Sequence, residues 1–172
     1  MTRYIVLLRG INVSGKNRLP MQDLRDILHQ LAYQNVQTYI QSGNIILDTL
    51  EKKSEIIFKI QKAILQKFGY EVPVIIRTIL EWKKAIANYP FSTENPKIVA
   101  FVFLNQTPTE KTIEIKGIQD DEYQVENDMI YLHCPTGFAK TKLSNNLFER
   151  KLKVIAITRN FRTVQKLLAL SE

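Results

Sequence analysis

Residues 36–47 read VQTYIQSGNIIL. Two runs rich in β-branched and aromatic residues, 36–40 and 44–47, flank Gln41-Ser42-Gly43, and glycine there can supply the positive φ of a tight turn. The stretch therefore predicts a β-hairpin. On its N-terminal side Met21, Leu24, Ile27, Leu28 and Leu31 recur at helical spacing. Pro20 suits the first helical position, since its missing N–H needs no partner there. Residues 4–8 form a continuous apolar run ahead of that helix, a strand. Beyond the hairpin, Ile56, Ile57, Ile60, Ala63, Ile64 and Phe68 follow the 3.6 period over 54–68. Gly69 reads as a left-handed cap and 72–76 as another strand. The order is β-α-β-β-α-β, the ferredoxin-like pattern.

The order recurs downstream without clear identity between the copies. Residues 98–104 are a strand, 109–115 are ambiguous between a short helix and a strand, and 123–126 and 129–133 flank a two-residue turn, Asn127-Asp128. A helix over 143–152, a short strand over 154–157 and a terminal helix over 162–170 complete the copy. The expected fold class is α+β, two ferredoxin-like (β-α-β-β-α-β) halves packed into one compact unit. Residues 1–78 make the first half, 79–96 with Trp82 a helical connector, and 97–172 a second half with a basic C-terminal helix. In 98–104 both alternating sets of side chains are apolar, so both sheet faces must be covered, by the other half or by a second chain.

The chain has 172 residues, and 45% hydrophobic with 24% charged residues is the balance of a globular protein that buries its own core. One cysteine and two histidines (Cys134, His29, His133) exclude an internal disulfide and leave a structural zinc site without enough ligands. No cofactor is implied. The early apolar run is shorter than a signal-peptide core or a membrane span, which predicts a cytoplasmic protein that does not enter a membrane. Charge is uneven: from Ala139 onward eight cations face two anions, so this segment carries +6 of the total +7. A basic surface this local attracts anionic partners.

Topology brings loops together. In a ferredoxin-like unit the loop leaving the first strand and the hairpin between strands two and three share one end of the sheet. That groups Arg9, Asn12, Lys16 and Asn17 with Gln41, Ser42 and Asn44, with Gly10 and Gly15 between them and no carboxylate in either loop. Glycines let backbone N–H groups approach an anion, and Arg and Lys add charge and forked donors. The same logic brings residues 135–142 towards 158–162. This groups Lys140 and Lys142 with Arg159, Asn160 and Arg162, and Thr158 would cap the last helix. The opposing reading makes the Asn and Gly residues ordinary turn formers and the cations solvated.

Other motifs fare less well. Residues 10–17, GINVSGKN, come one residue from the phosphate-loop pattern. However, Asn17 replaces the magnesium-binding hydroxyl, and Pro20 delays the helix beyond the lysine's reach. Residues 44–47 carry none of the aromatics that an RNA-recognition sheet needs. His133 and Cys134 are adjacent on a strand and point to opposite faces, so they make no base–nucleophile pair. Asp120, Asp121 and Glu122 read as a solvated acidic loop.

Three stretches together, YIVLLRGINVSGKNRLPM (4–21), TYIQSGNIIL (38–47) and ITRNFRTVQKL (157–167), resemble the bacterial domain-of-unknown-function family numbered 1697 over essentially the whole chain. Ser14 stands where the family motif has glycine, and Phe161 where it has tryptophan. The resemblance implies a compact α+β fold of two related halves and no established activity. The expected function is a binding module for a phosphate-rich ligand, whether nucleotide, nucleic acid or sugar phosphate. One alternative is an enzyme acting on a phosphorylated small molecule, which the loops could supply only with Ser14, Ser42 or Thr158 as nucleophile. Another is an interaction module, compatible with a homo-oligomer, in which the polar loop residues satisfy backbone groups.

Overall fold

A computed structural model describes residues 1–172. The strand Thr2–Leu8 (β1) leads through a long loop to the helix Met21–Gln30 (α1). The strands Gln34–Tyr39 (β2) and Asn44–Thr49 (β3) form the hairpin, followed by the helix Lys53–Phe68 (α2) and the strand Val74–Thr78 (β4). After the helix Ile79–Ala87 (α3) come the strands Val99–Leu104 (β5), Glu122–Glu126 (β6) and Met129–His133 (β7). The helix Asn145–Leu152 (α4), the strand Ala156–Asn160 (β8) and the helix Phe161–Ser171 (α5) close the chain. The chain divides into two compact units, residues 1–83 with 167–172, and residues 84–166.

Each unit holds one four-stranded antiparallel sheet, ordered β2-β3-β1-β4 in the first and β6-β7-β5-β8 in the second. The fold class is thus α+β, with helices packed on each sheet. In the first unit Tyr4, Val6 and Leu8, alternate residues of β1, join Leu24, Ile27 and Leu28 of α1 and Ile56, Ile60 and Ile64 of α2 in one buried cluster. The period-2 face of the strand meets the period-3.6 stripes of the helices. Pro20 stands one place earlier than its φ preference suggests. Its ψ of 139° is extended, which makes it the N-cap, and the helix opens at Met21. Gly69 ends α2 at φ +76°, the left-handed cap read from the sequence.

The second unit repeats the sheet without the first helix. Residues 105–121, where 109–115 could be helix or strand, are irregular loop. Ile113, with Ile115 and Ile118 beside it, packs into the buried cluster of Ala100, Val102, Leu132 and Phe148, filling the place a helix would cover. The Tyr123 hydroxyl clamps that loop, donating to the Ile113 carbonyl and accepting from its N–H at 2.9 Å each. No helix is long and apolar enough to cross a membrane.

Candidate functional site

At the end of the first sheet, the loop after β1 meets the β2–β3 hairpin. Leu8 N–H donates to the Gly43 carbonyl at 2.9 Å, and Arg9 N–H to Pro73 at 2.9 Å. Gly43 has φ +86°, and a Cβ there would lie 2.7 Å from Leu8 Cβ, so conformation and close approach both demand glycine. The loop folds back on itself. Lys16 N–H donates to Val13 O at 2.9 Å around Ser14 (φ +51°) and Gly15 (φ +74°), a two-residue turn that carries positive φ at both corners. Ser14 therefore adopts a left-handed conformation that glycine reaches more easily.

The asparagines of this end are fastenings. Asn12 Nδ2 donates to Leu19 O at 2.9 Å and to Gln41 O at 2.7 Å, while its Oδ1 accepts from Leu19 N–H at 2.8 Å. One side chain thus ties the loop to the start of α1 and to the hairpin. Asn17 Nδ2 donates to Gly10 O at 3.1 Å. Asn44 is fully buried, and its Nδ2 donates to Tyr39 O at 3.0 Å and Ser42 Oγ at 2.9 Å. Arg9 is half-buried, and Lys16 and Gln41 are exposed.

The second unit gathers a different set. The segment after β7 runs beside the end of β8, held by Asp121. Its Oδ1 accepts from Thr136 N–H at 3.0 Å and its Oδ2 from Thr141 Oγ1 at 2.7 Å. Asp121 is buried, not solvated as its acidic neighbours suggest. Burial raises its carboxyl pKa, but the Thr141 and Thr136 bonds outweigh burial and hold it below the usual range. Cys134 is buried beside it, and burial pushes its thiol up to about 11, which leaves it protonated and unreactive at neutral pH.

Two adjoining spaces open here. A cleft of about 310 Å³ has Ala100, Leu143 and Phe138 on its apolar side and Asn145, Thr158 and Asn160 among its polar lining. Thr158 Oγ1 donates to Asn145 Oδ1 at 2.5 Å. Asn160, rather than Thr158, caps α5, its Oδ1 accepting from Thr163 N–H at 2.8 Å. Ser144 also lines a groove of about 500 Å³, where Lys116, Lys142, Arg150 and Lys151 stand against one carboxylate, Glu114. Lys142 and Asn160 thus line neighbouring spaces. Arg159 lies on the opposite sheet face, because β8 alternates and Thr158 takes the cleft side; its Nη1 donates to Thr158 O at 3.0 Å. Arg162 is exposed on the first turn of α5 and lines neither space.

Lys116, Arg150 and Lys151 were not among the residues singled out from the sequence. Lys116 lies in the irregular loop, whose course no periodicity reveals. Arg150 and Lys151 were visible only as part of the basic C-terminal charge. No group of three His, Cys, Asp or Glu side chains comes together to hold a metal ion.

The chain belongs to the DUF1697 family, described as proteins of unknown function, which matches residues 1–131. It is similar in structure to the conserved bacterial protein SP0830 from Streptococcus pneumoniae. The two share 22% identity at a TM-score of 0.74, with 99% of each chain covered, a likeness that shows the fold. No curated protein matches the chain.

Proposed function

We propose that this protein binds a phosphate-bearing ligand, and that the seat is the basic groove of its second unit. The observation that carries the reading is the lining of that groove, four cations against one carboxylate in a space of about 500 Å³. A concave wall concentrates the field of clustered cations, and an anion there meets charge and hydrogen-bond donors together. The first turn of α4 adds the positive end of a helix dipole, since Ser144 and Asn146 line the same groove. Binding is favoured over catalysis, because the one cysteine is buried with a raised thiol and the groove offers a single carboxylate. The first-unit loops fit this less well, since Asn12, Asn17 and Asn44 already spend their amides on the chain itself.

The test is a thermal-shift titration of the full chain with pyrophosphate at low salt. Wild type is stabilised, and the effect fades as salt rises. Lys142→Ala and Arg150→Ala each weaken binding about tenfold with little change in the ligand-free melting temperature, because an exposed cation contributes at most ~1 kcal/mol to folding. Lys16→Ala leaves binding unchanged. No pyrophosphate shift, or one that survives both groove substitutions, overturns the proposal.

A further inference from the structure

The geometry points to a nucleoside mono- or diphosphate as the ligand, with its base on Phe138 in the cleft and its phosphates in the adjoining basic groove. This rests on the phosphate-binding reading above and goes beyond it in naming the rest of the molecule. The two spaces meet at Ser144 and differ in chemistry. The groove is cationic, whereas the cleft has buried Ala100 and Leu143 on one side and Phe138, 36% exposed, at its edge. A ligand complementary to both needs a charged end and a flat, largely apolar end with polar edges.

The polar lining of the cleft suits a base or ribose. Asn145 and Asn160 use their carbonyl oxygens within the protein, as acceptors from Thr158 Oγ1 and Thr163 N–H. Each amide nitrogen is left to donate to a ring nitrogen, a carbonyl or a sugar hydroxyl. Size points the same way: about 310 and 500 Å³ fall in the range of single small-molecule sites. A polymer would be tracked by a series of aromatic platforms. Phe58 and Phe138 are the exposed phenylalanines, and Phe58 sits on α2 of the first unit.

Calorimetric titration of the full chain with pyrophosphate, ADP, UDP and a ten-nucleotide oligothymidylate tests this. ADP and UDP are expected to bind about tenfold more tightly than pyrophosphate, the effect of one base–aromatic stack. Phe138→Ala removes that margin without altering pyrophosphate affinity, and Phe138→Tyr preserves it. Equal affinity for pyrophosphate and ADP, or a margin that survives Phe138→Ala, overturns the base seat and leaves the phosphate groove standing. Oligothymidylate binding far more tightly than ADP overturns it in favour of a polymer. No binding by any of the four overturns the phosphate reading itself, and this inference with it.

Discussion

The two units share a strand order, yet treat their polar loops in opposite ways. Ile5 pairs with Arg77 across β1 and β4 as Phe101 pairs with Arg159 across β5 and β8, so the sheets are built on one plan. In the first unit, Asn12 and Asn17 of the loop after β1 spend their side-chain amides on backbone carbonyls, and one of these bonds reaches the hairpin. In the second, Asp121 and Thr141 fasten the segment after β7, and the long cations around it are left to line a groove. A polar, glycine-rich motif can serve chain closure, whereas the sparser segment of the second unit leaves its cations lining a groove.

That contrast can be broken by substitution, and the largest effect is expected at Gly43. Gly43→Ala places a methyl 2.7 Å from Leu8 Cβ at φ +86°, so it should cost more than ~3 kcal/mol. Gly137→Ala in the second unit, at φ +92° in open space, should cost about 1–2 kcal/mol. Urea midpoints of the two variants measure the gap; equal losses would mean that the close approach carries no energy. Next comes Asn12→Ala, which removes three hydrogen bonds and should cost about 2 kcal/mol while leaving pyrophosphate affinity unchanged. Asn160→Ala removes one capping bond, for about 1 kcal/mol.

An effect of the same small size is pH-dependent. The Arg3 guanidinium, bonding at 2.7 and 2.8 Å, holds the Asp48 carboxyl below its usual range; burial opposes this and Asn35 Nδ2 at 2.7 Å supports it. A depressed folded pKa stabilises the protein above the unfolded value of ~3.9, and the gain is lost as pH falls through the folded one. Asp48→Asn should therefore cost about 1 kcal/mol at pH 7, and the difference from wild type should shrink as pH falls below the unfolded value and vanish once it is below the folded one. A loss that is constant across that window would assign Asp48 a packing role only.

Much of the fold was legible because hydrophobic periodicity reports directly on burial. The stripes of α1 and α2, the hairpin around Gly43 and the Asn127-Asp128 turn all follow from local pattern. Residues 105–121 were not legible, since Ile113, Ile115 and Ile118 fill core space from irregular backbone that has no period to read. Asp121 misled for a related reason: its burial depends on Thr136 and Thr141, which a local acidic run does not announce. At the site, topology grouped Arg9 to Asn17 with Gln41 to Asn44, but whether an amide faces a ligand or a carbonyl depends on bond geometry that spacing does not encode. Arg159 was grouped with Asn160 because topology brings the whole of 158–162 to one sheet end, and strand alternation separates them.

The most direct test is an amide chemical-shift titration of the full chain with pyrophosphate. The expected perturbations fall on Lys116, Lys142, Ser144, Asn146 and Arg150, with residues 10–18 and 41–44 unmoved. Perturbations confined to residues 10–18 and 41–44, with the groove silent, would contradict the assignment of ligand binding to the second unit and of chain closure to the first.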